Sequence, residues 1–440
     1  MSTPISSSMP SSIIRLIGHL RAPLYRNGYA LVLSSATTSG LGLGYWILAT
    51  RNYTTEAVGL NSATLSAMML LGAVSQLNLV SALNRFIPGA GRATSRIVVG
   101  AYLVSLVAIL ATSSIFILGV RAWTPALSFL ASSPFFSLWF IFASLAWCLF
   151  ALQDGVLTGL RQATWVPIKN TIFALAKIAL LIGFAKLLPQ YGVFASWTIP
   201  AVLALAPVNL LIFRRLIPQH AQATEDRANA IVPIQIVKYV AGDYLGSLFW
   251  TAAITLPPII VTHQLGATAN AYFYLPWAIA YSLYLVSRNM GMSLTAEAAA
   301  DQTKLATYSY RTFVGTARLL VPMVAIIALG APYILRLFGN NYAAEGVTLL
   351  RLLCLSALPD IVLSLYTSIA RVQRRLSAIF LIPASLCALV LTLSYILLKK
   401  YGITGVGTAW LMSQTIVAGV LLFTQFRPRR SPRRGLQALT

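Results

Sequence analysis

The chain has 440 residues, 58% of them hydrophobic and 9% charged, with a formal net charge of +23. About a quarter of a soluble domain's residues are charged, so these proportions exclude one. Its 32 Lys+Arg against 9 Asp+Glu would suit nucleic acid if gathered on a polar surface. They are instead divided among short connectors between apolar runs, which argues against nucleic acid and points to membrane lipids with an anionic inner leaflet.

Residues 1–27 read as a cytoplasmic N-terminal tether, Ser-rich over 1–12. Ile13 to Leu20 fits either an interfacial helix or a plain tether. The first apolar run starts near Tyr29 and is long enough to span, so no cleavable signal is expected. Spanning runs follow at 28–50, 61–86, 97–120, 134–160, 165–187 and 192–213, then at 234–262, 269–296, 313–336, 346–370, 376–398 and 404–426. The expected fold is an all-α polytopic membrane protein of about 12 transmembrane helices in two pseudo-symmetric six-helix lobes. The N-lobe covers 28–213, an inter-lobe linker 214–233, the C-lobe 234–426 and a basic cytoplasmic tail 427–440.

Cationic residues flanking spans are retained on the cytoplasmic side. With the amino terminus inside, only Arg51, Arg121, Lys186, Arg336, Arg351, Lys399 and Lys400 fall outside, and Lys177, Arg288 and Arg318 fall within spans; every other Lys and Arg lies inside. Both termini are therefore expected to be cytoplasmic. The halves repeat at an offset of 210, where Leu187-Leu188-Pro189-Gln190-Tyr191-Gly192-Val193 aligns with Leu397-Leu398-Lys399-Lys400-Tyr401-Gly402-Ile403. Six spans per half make this a parallel repeat, with a cavity between two lobes, as in transporters.

Ionisable groups inside spans cost ~2.5–3.5 kcal/mol each on insertion scales and need a partner or a wet cavity. Lys177 and Asp360 count to the bilayer midplane, and Pro359 frees a helix bond beside Asp360. They suit a functional site or, equally, an ion pair locking the lobes. Nearer the cytoplasm come Asp154, Asp243, Arg288 and Arg318, with Arg85 at the inner end of the second span. Guanidiniums backed by a carboxylate suit phosphate or pyrophosphate; snorkelling to the interface is the alternative. Arg85, Lys177, Asp243, Arg288 and Arg318 are the candidate substrate-binding residues, and Asp360 and Asp154 the candidate ion-coupling ones.

Gly40-Leu41-Gly42-Leu43-Gly44 lies in a span with no preceding strand, so close helix packing or local flexibility fits it better than a phosphate loop. Pro257-Pro258 can break the seventh span. Cys148, Cys354 and Cys387 lie in apolar runs with no metal or disulfide spacing. No catalytic constellation, cofactor motif or ATP-binding motif is present in the sequence, so an enzyme is not expected and the energy source would be an ion, potential or substrate gradient.

The run Leu335-Arg336-Leu337-Phe338-Gly339-Asn340-Asn341-Tyr342, then Glu345-Gly346 and Leu349-Leu350-Arg351-Leu352-Leu353, resembles the ninth-to-tenth span junction of bacterial polysaccharide (Wzx-like) flippases. These belong to the multidrug/oligosaccharidyl-lipid/polysaccharide (MOP) exporter superfamily, whose fold is MATE-like. Tyr401-Gly402-Ile403 with Gly405-Val406-Gly407, Glu56-Ala57-Val58-Gly59, Gly242-Asp243-Tyr244 and Tyr272-Phe273-Tyr274 are similar too, so the likeness covers about residues 24–426. It implies a bacterial plasma-membrane protein that moves undecaprenyl-pyrophosphate-linked oligosaccharide outward by alternating access, for surface polysaccharide. It also implies a cationic cavity, which Arg85, Lys177, Arg288 and Arg318 suit. Related lipid II flippases carry two further spans, against a peptidoglycan precursor. A cation-coupled multidrug antiporter of the same superfamily is the alternative. The basic tail reads as a topological anchor, with docking of a glycan polymerase or glycosyltransferases left open.

Overall fold

The computed structural model describes residues 40–224, 233–300 and 302–426. The tether, the acidic part of the linker (225–232) and the basic tail lie outside the described residues. The first half comprises α1 (40–52), α2 (Thr55–Ser75), α3 (Leu79–Phe86), α4 (Thr94–Trp123), α5 (Pro134–Gly159), α6 (Trp165–Leu187), α7 (Gly192–Leu211) and the short α8 (Ile217–Ala223). The second comprises α9 (Pro233–Leu265), α10 (Ala267–Ala300), α11 (Leu305–Arg336), α12 (Asn340–Val372), α13 (Leu376–Tyr401) and α14 (Ile403–Phe426). The protein is all-α, multi-pass and two-lobed.

Ten helices among the described residues are long and apolar enough to cross a membrane. The other two expected spans also meet helices. The first lies partly in α1 and starts outside the described residues; the eighth falls on α10, 34 residues long but less apolar. The expected linker starts as helix, because a π turn over Ile212–Leu216 carries α7 on into α8.

Three readings are corrected. A Cβ at 40, 42 or 44 would meet nothing within 4 Å among the described residues, so of the two alternatives close packing does not explain those glycines. Pro257-Pro258 does not break α9, which runs continuously from Pro233 to Leu265. The second span does break, at Leu77 and Asn78, which adopt left-handed φ of 48° and 56°. A tertiary contact lies beside that break, where Tyr244 on α9 donates its hydroxyl to the Val74 carbonyl at 2.7 Å.

The halves meet where α2 packs against α9 and α10. At the start of α2 a Cβ on Gly59 would overlap the Ala267 carbonyl, so the two backbones cross in contact there. Pseudo-symmetry shows in the turn entering α6 and the turn entering α13. Arg161 and Arg374 are both left-handed, at φ 58° and 54°. Gln162 N–H donates to Leu157 O and Arg375 N–H to Ala370 O, both at 2.9 Å. These turns correspond at an offset of 213, three more than the Tyr191/Tyr401 connectors, so the second copy is three residues shorter between those points.

Candidate functional site

The polar centre of the second half is built on one face of α12. Asp360, Ser364, Thr367, Ser368 and Arg371 recur at intervals of three and four, so a helical period stacks them. They line a cavity of about 100 Å³ together with Ser247 and Trp250 of α9 and Arg288 of α10. The Arg288 guanidinium lies 4.5 Å from the Trp250 ring centroid and acts electrostatically on Asp360 and Tyr281. Asp360 is buried at 2% exposure. Its Oδ1 accepts from Gln414 Nε2 of α14 at 3.3 Å, while Oδ2 has no hydrogen-bond partner among the described residues.

The hydroxyls have their protons committed. Ser364 donates to Ser287 O, Thr367 to Leu363 O and Ser368 to Ser364 O, at 2.8–2.9 Å. They therefore offer lone pairs to the cavity, whereas Arg288 and Arg371 offer donors. The described lining thus combines hydroxyl acceptors, two guanidiniums and one carboxylate.

The other candidates with described side chains lie elsewhere. Lys177, 7% exposed, sits in an aromatic cage, its Nζ 4.0 Å from the Trp197 centroid, 4.7 Å from Tyr45 and 5.6 Å from Phe173. It forms no ion pair with Asp360; the rings supply the negative face that solvates it. Asp154 pairs with Lys169 at 2.6 Å, and Lys169 also donates to Phe150 O at 2.6 Å. Arg85 is exposed at the end of α3. Arg318 is exposed on α11 on the face that carries Pro322 and Leu329. Asp243 lies on α9, with its side chain outside the described residues. Of the six candidates whose side chains are described, only Arg288 and Asp360 meet in this cavity.

Arg371, Trp250, Gln414 and Lys169 are participants that sequence reading did not single out. The spacing of Arg371 from Asp360, eleven residues or three helical turns, is the signal that finds it.

No family model and no curated relative matches the chain. Its fold is nevertheless shared with solved transporters. An inward-facing multidrug resistance MATE family transporter of the MOP superfamily superposes with TM-score 0.69 at 15% identity, over 89% of this chain and 94% of that one. The lipid II flippase MurJ in an inward closed conformation gives 0.67 at 12% identity, over 90% and 87%. An outward-facing MATE transporter gives 0.65 at 16% identity, over 90% and 92%. The chain thus has the two-lobed fold of MOP transporters and flippases.

Proposed function

We propose that this protein is a flippase that carries undecaprenyl-pyrophosphate-linked oligosaccharide repeat units across the bacterial plasma membrane, for surface polysaccharide. The observation that carries the reading is the charge balance among the described residues that line the C-lobe cavity, where Arg288 and Arg371 stand beside the one carboxylate of Asp360. A cation would meet that excess as repulsion, and an anionic glycan would meet it as attraction. In this reading Arg288 contacts the phosphate end of the cargo and Asp360 is the coupling group. In this reading both termini are cytoplasmic, cargo enters from the cytoplasmic leaflet and it leaves to the outer one. A wet cavity removes most of the cost of moving sugar through ~30 Å of hydrocarbon.

Deleting the gene tests this directly. Accumulation of lipid-linked oligosaccharide on the inner leaflet supports the reading; unpolymerised units on the outer face overturn it in favour of a polymerase. A cation-coupled multidrug antiporter is the second reading, favoured by the likeness to MATE transporters. It requires purified protein to bind a cationic dye more tightly than a glycosyl pyrophosphate.

A further inference from the structure

The outer face of the first half carries a groove unrelated to the polar cavity. From α6 it takes Trp165, Ile168, Lys169, Ile172, Phe173, Ala176 and Leu180, and from α7 the face that runs from Pro200 to Leu211; together these enclose about 360 Å³. Both sets follow the three-and-four spacing of a single helix face. Ala176 and Ala204 leave the walls concave where larger side chains would close them. From Trp165 to Leu180 the groove extends ~22 Å along the helix, more than half of the ~30 Å hydrocarbon layer.

One end of it is basic. Leu157, Trp165 and Leu211 line that end. Leu157, Leu160, Ile212 and Leu216 share a core cluster there, with Val166 and Phe213 packed on it. The exposed Arg161 follows Leu160, and the exposed Arg214 and Arg215 lie in the π turn between Ile212 and Leu216. The one charged group among the lining residues, Lys169, is already neutralised by Asp154. The three arginines have no ion pair, side-chain hydrogen bond or ring contact among the described residues. Trp165, partly exposed, adds an interfacial anchor at the same level.

We infer that this groove is a binding site for a resident anionic phospholipid, with one acyl chain between α6 and α7 and the phosphate held by Arg161, Arg214 and Arg215. Charge complementarity at one end and a chain-wide apolar slot leading from it select an anionic lipid over a zwitterionic one. The groove takes its walls from α5, α6 and α7, and the polar cavity from α9, α10, α12 and α13, so the lipid is a fixture and not the cargo.

Native mass spectrometry of the full-length protein, titrated with phosphatidylglycerol, phosphatidylethanolamine and a polyprenyl phosphate, tests it. The expected result is one tightly retained phosphatidylglycerol, weakened about fivefold for each of Arg161→Gln, Arg214→Gln and Arg215→Gln. Filling the slot with Ala176→Leu and Ala204→Leu should abolish retention while the headgroup arginines stay in place. Equal retention of phosphatidylethanolamine overturns the proposal, as does retention unchanged by the arginine substitutions. Displacement of phosphatidylglycerol by equimolar polyprenyl phosphate also overturns it, because the groove would then be a cargo path. If the slot-filled protein unfolds, the three arginine variants still decide the matter.

Discussion

The Asn270 side chain donates to the Gly59 carbonyl at 2.8 Å and reaches Ser62 Oγ at 3.0 Å, bridging α10 to α2 where the two halves touch most closely. Hydrogen bonds between membrane helices are worth about 0.6 kcal/mol on average, with ~1.7 as the observed maximum. Asn270→Ala should therefore lower unfolding stability by about 1 kcal/mol in detergent denaturation. Gly59→Val should do more, because its side chain would overlap the Ala267 carbonyl and force the crossing apart. Its expected signature is increased thiol labelling of a cysteine placed at Ala271, buried in the wild type. Unchanged labelling would show that the crossing stays closed.

Arg288 and Asp360 are predicted to be energetically coupled. Asp360 is buried and Arg288 is half-buried, so removing the guanidinium leaves the carboxylate less well compensated. Arg288→Gln should thus be destabilising, and Arg288→Gln with Asp360→Asn should recover most of the loss. Transport should not recover with it. A double-mutant cycle in thermal unfolding, read beside surface-glycan output, separates the two effects; simple additivity would mean that the groups are independent.

For Lys177, the cage predicts an inequality. Lys177→Met removes the buried charge together with its need for the rings. Trp197→Ala leaves the ammonium in place without its nearest aromatic face, a loss of about 2 kcal/mol or more for a desolvated cation. Thermal unfolding should rank Trp197→Ala below Lys177→Met, and the opposite order would mean that the cage contributes little.

At Arg374 the backbone is left-handed, a conformation that costs a residue with a Cβ about 1–2 kcal/mol. Arg374→Gly should raise stability by roughly 1 kcal/mol, and Arg374→Val should lower it. Denaturant midpoints measure both. Equal midpoints for Gly and Val would show that the turn relaxes.

Much of the architecture was legible because membrane crossing imposes long apolar runs on the chain. The polar face of α12 was half legible. Asp360 and Arg288 announce themselves as charges in apolar surroundings, but Arg371 was counted as a connector charge although its helix runs on to Val372 and carries it to the cavity. Lys169 was counted only among the cytoplasmic-side charges, near the start of the 165–187 run, and its contact with Asp154 depends on how α5 and α6 pack. The break at Leu77 and Asn78 has neither Gly nor Pro to mark it. The tertiary contact beside it comes from Tyr244, 166 positions beyond Asn78, and no local pattern carries that information.

The Lys177 cage has a consequence for biogenesis. Tyr45 comes from α1, Phe173 from the same helix as the lysine, and Trp197 from α7. A nascent chain that ends before position 197 has to insert α6 with its ammonium only partly enclosed. The segment is therefore expected to wait at the translocon for its successor, so that α6 and α7 enter the bilayer as a hairpin.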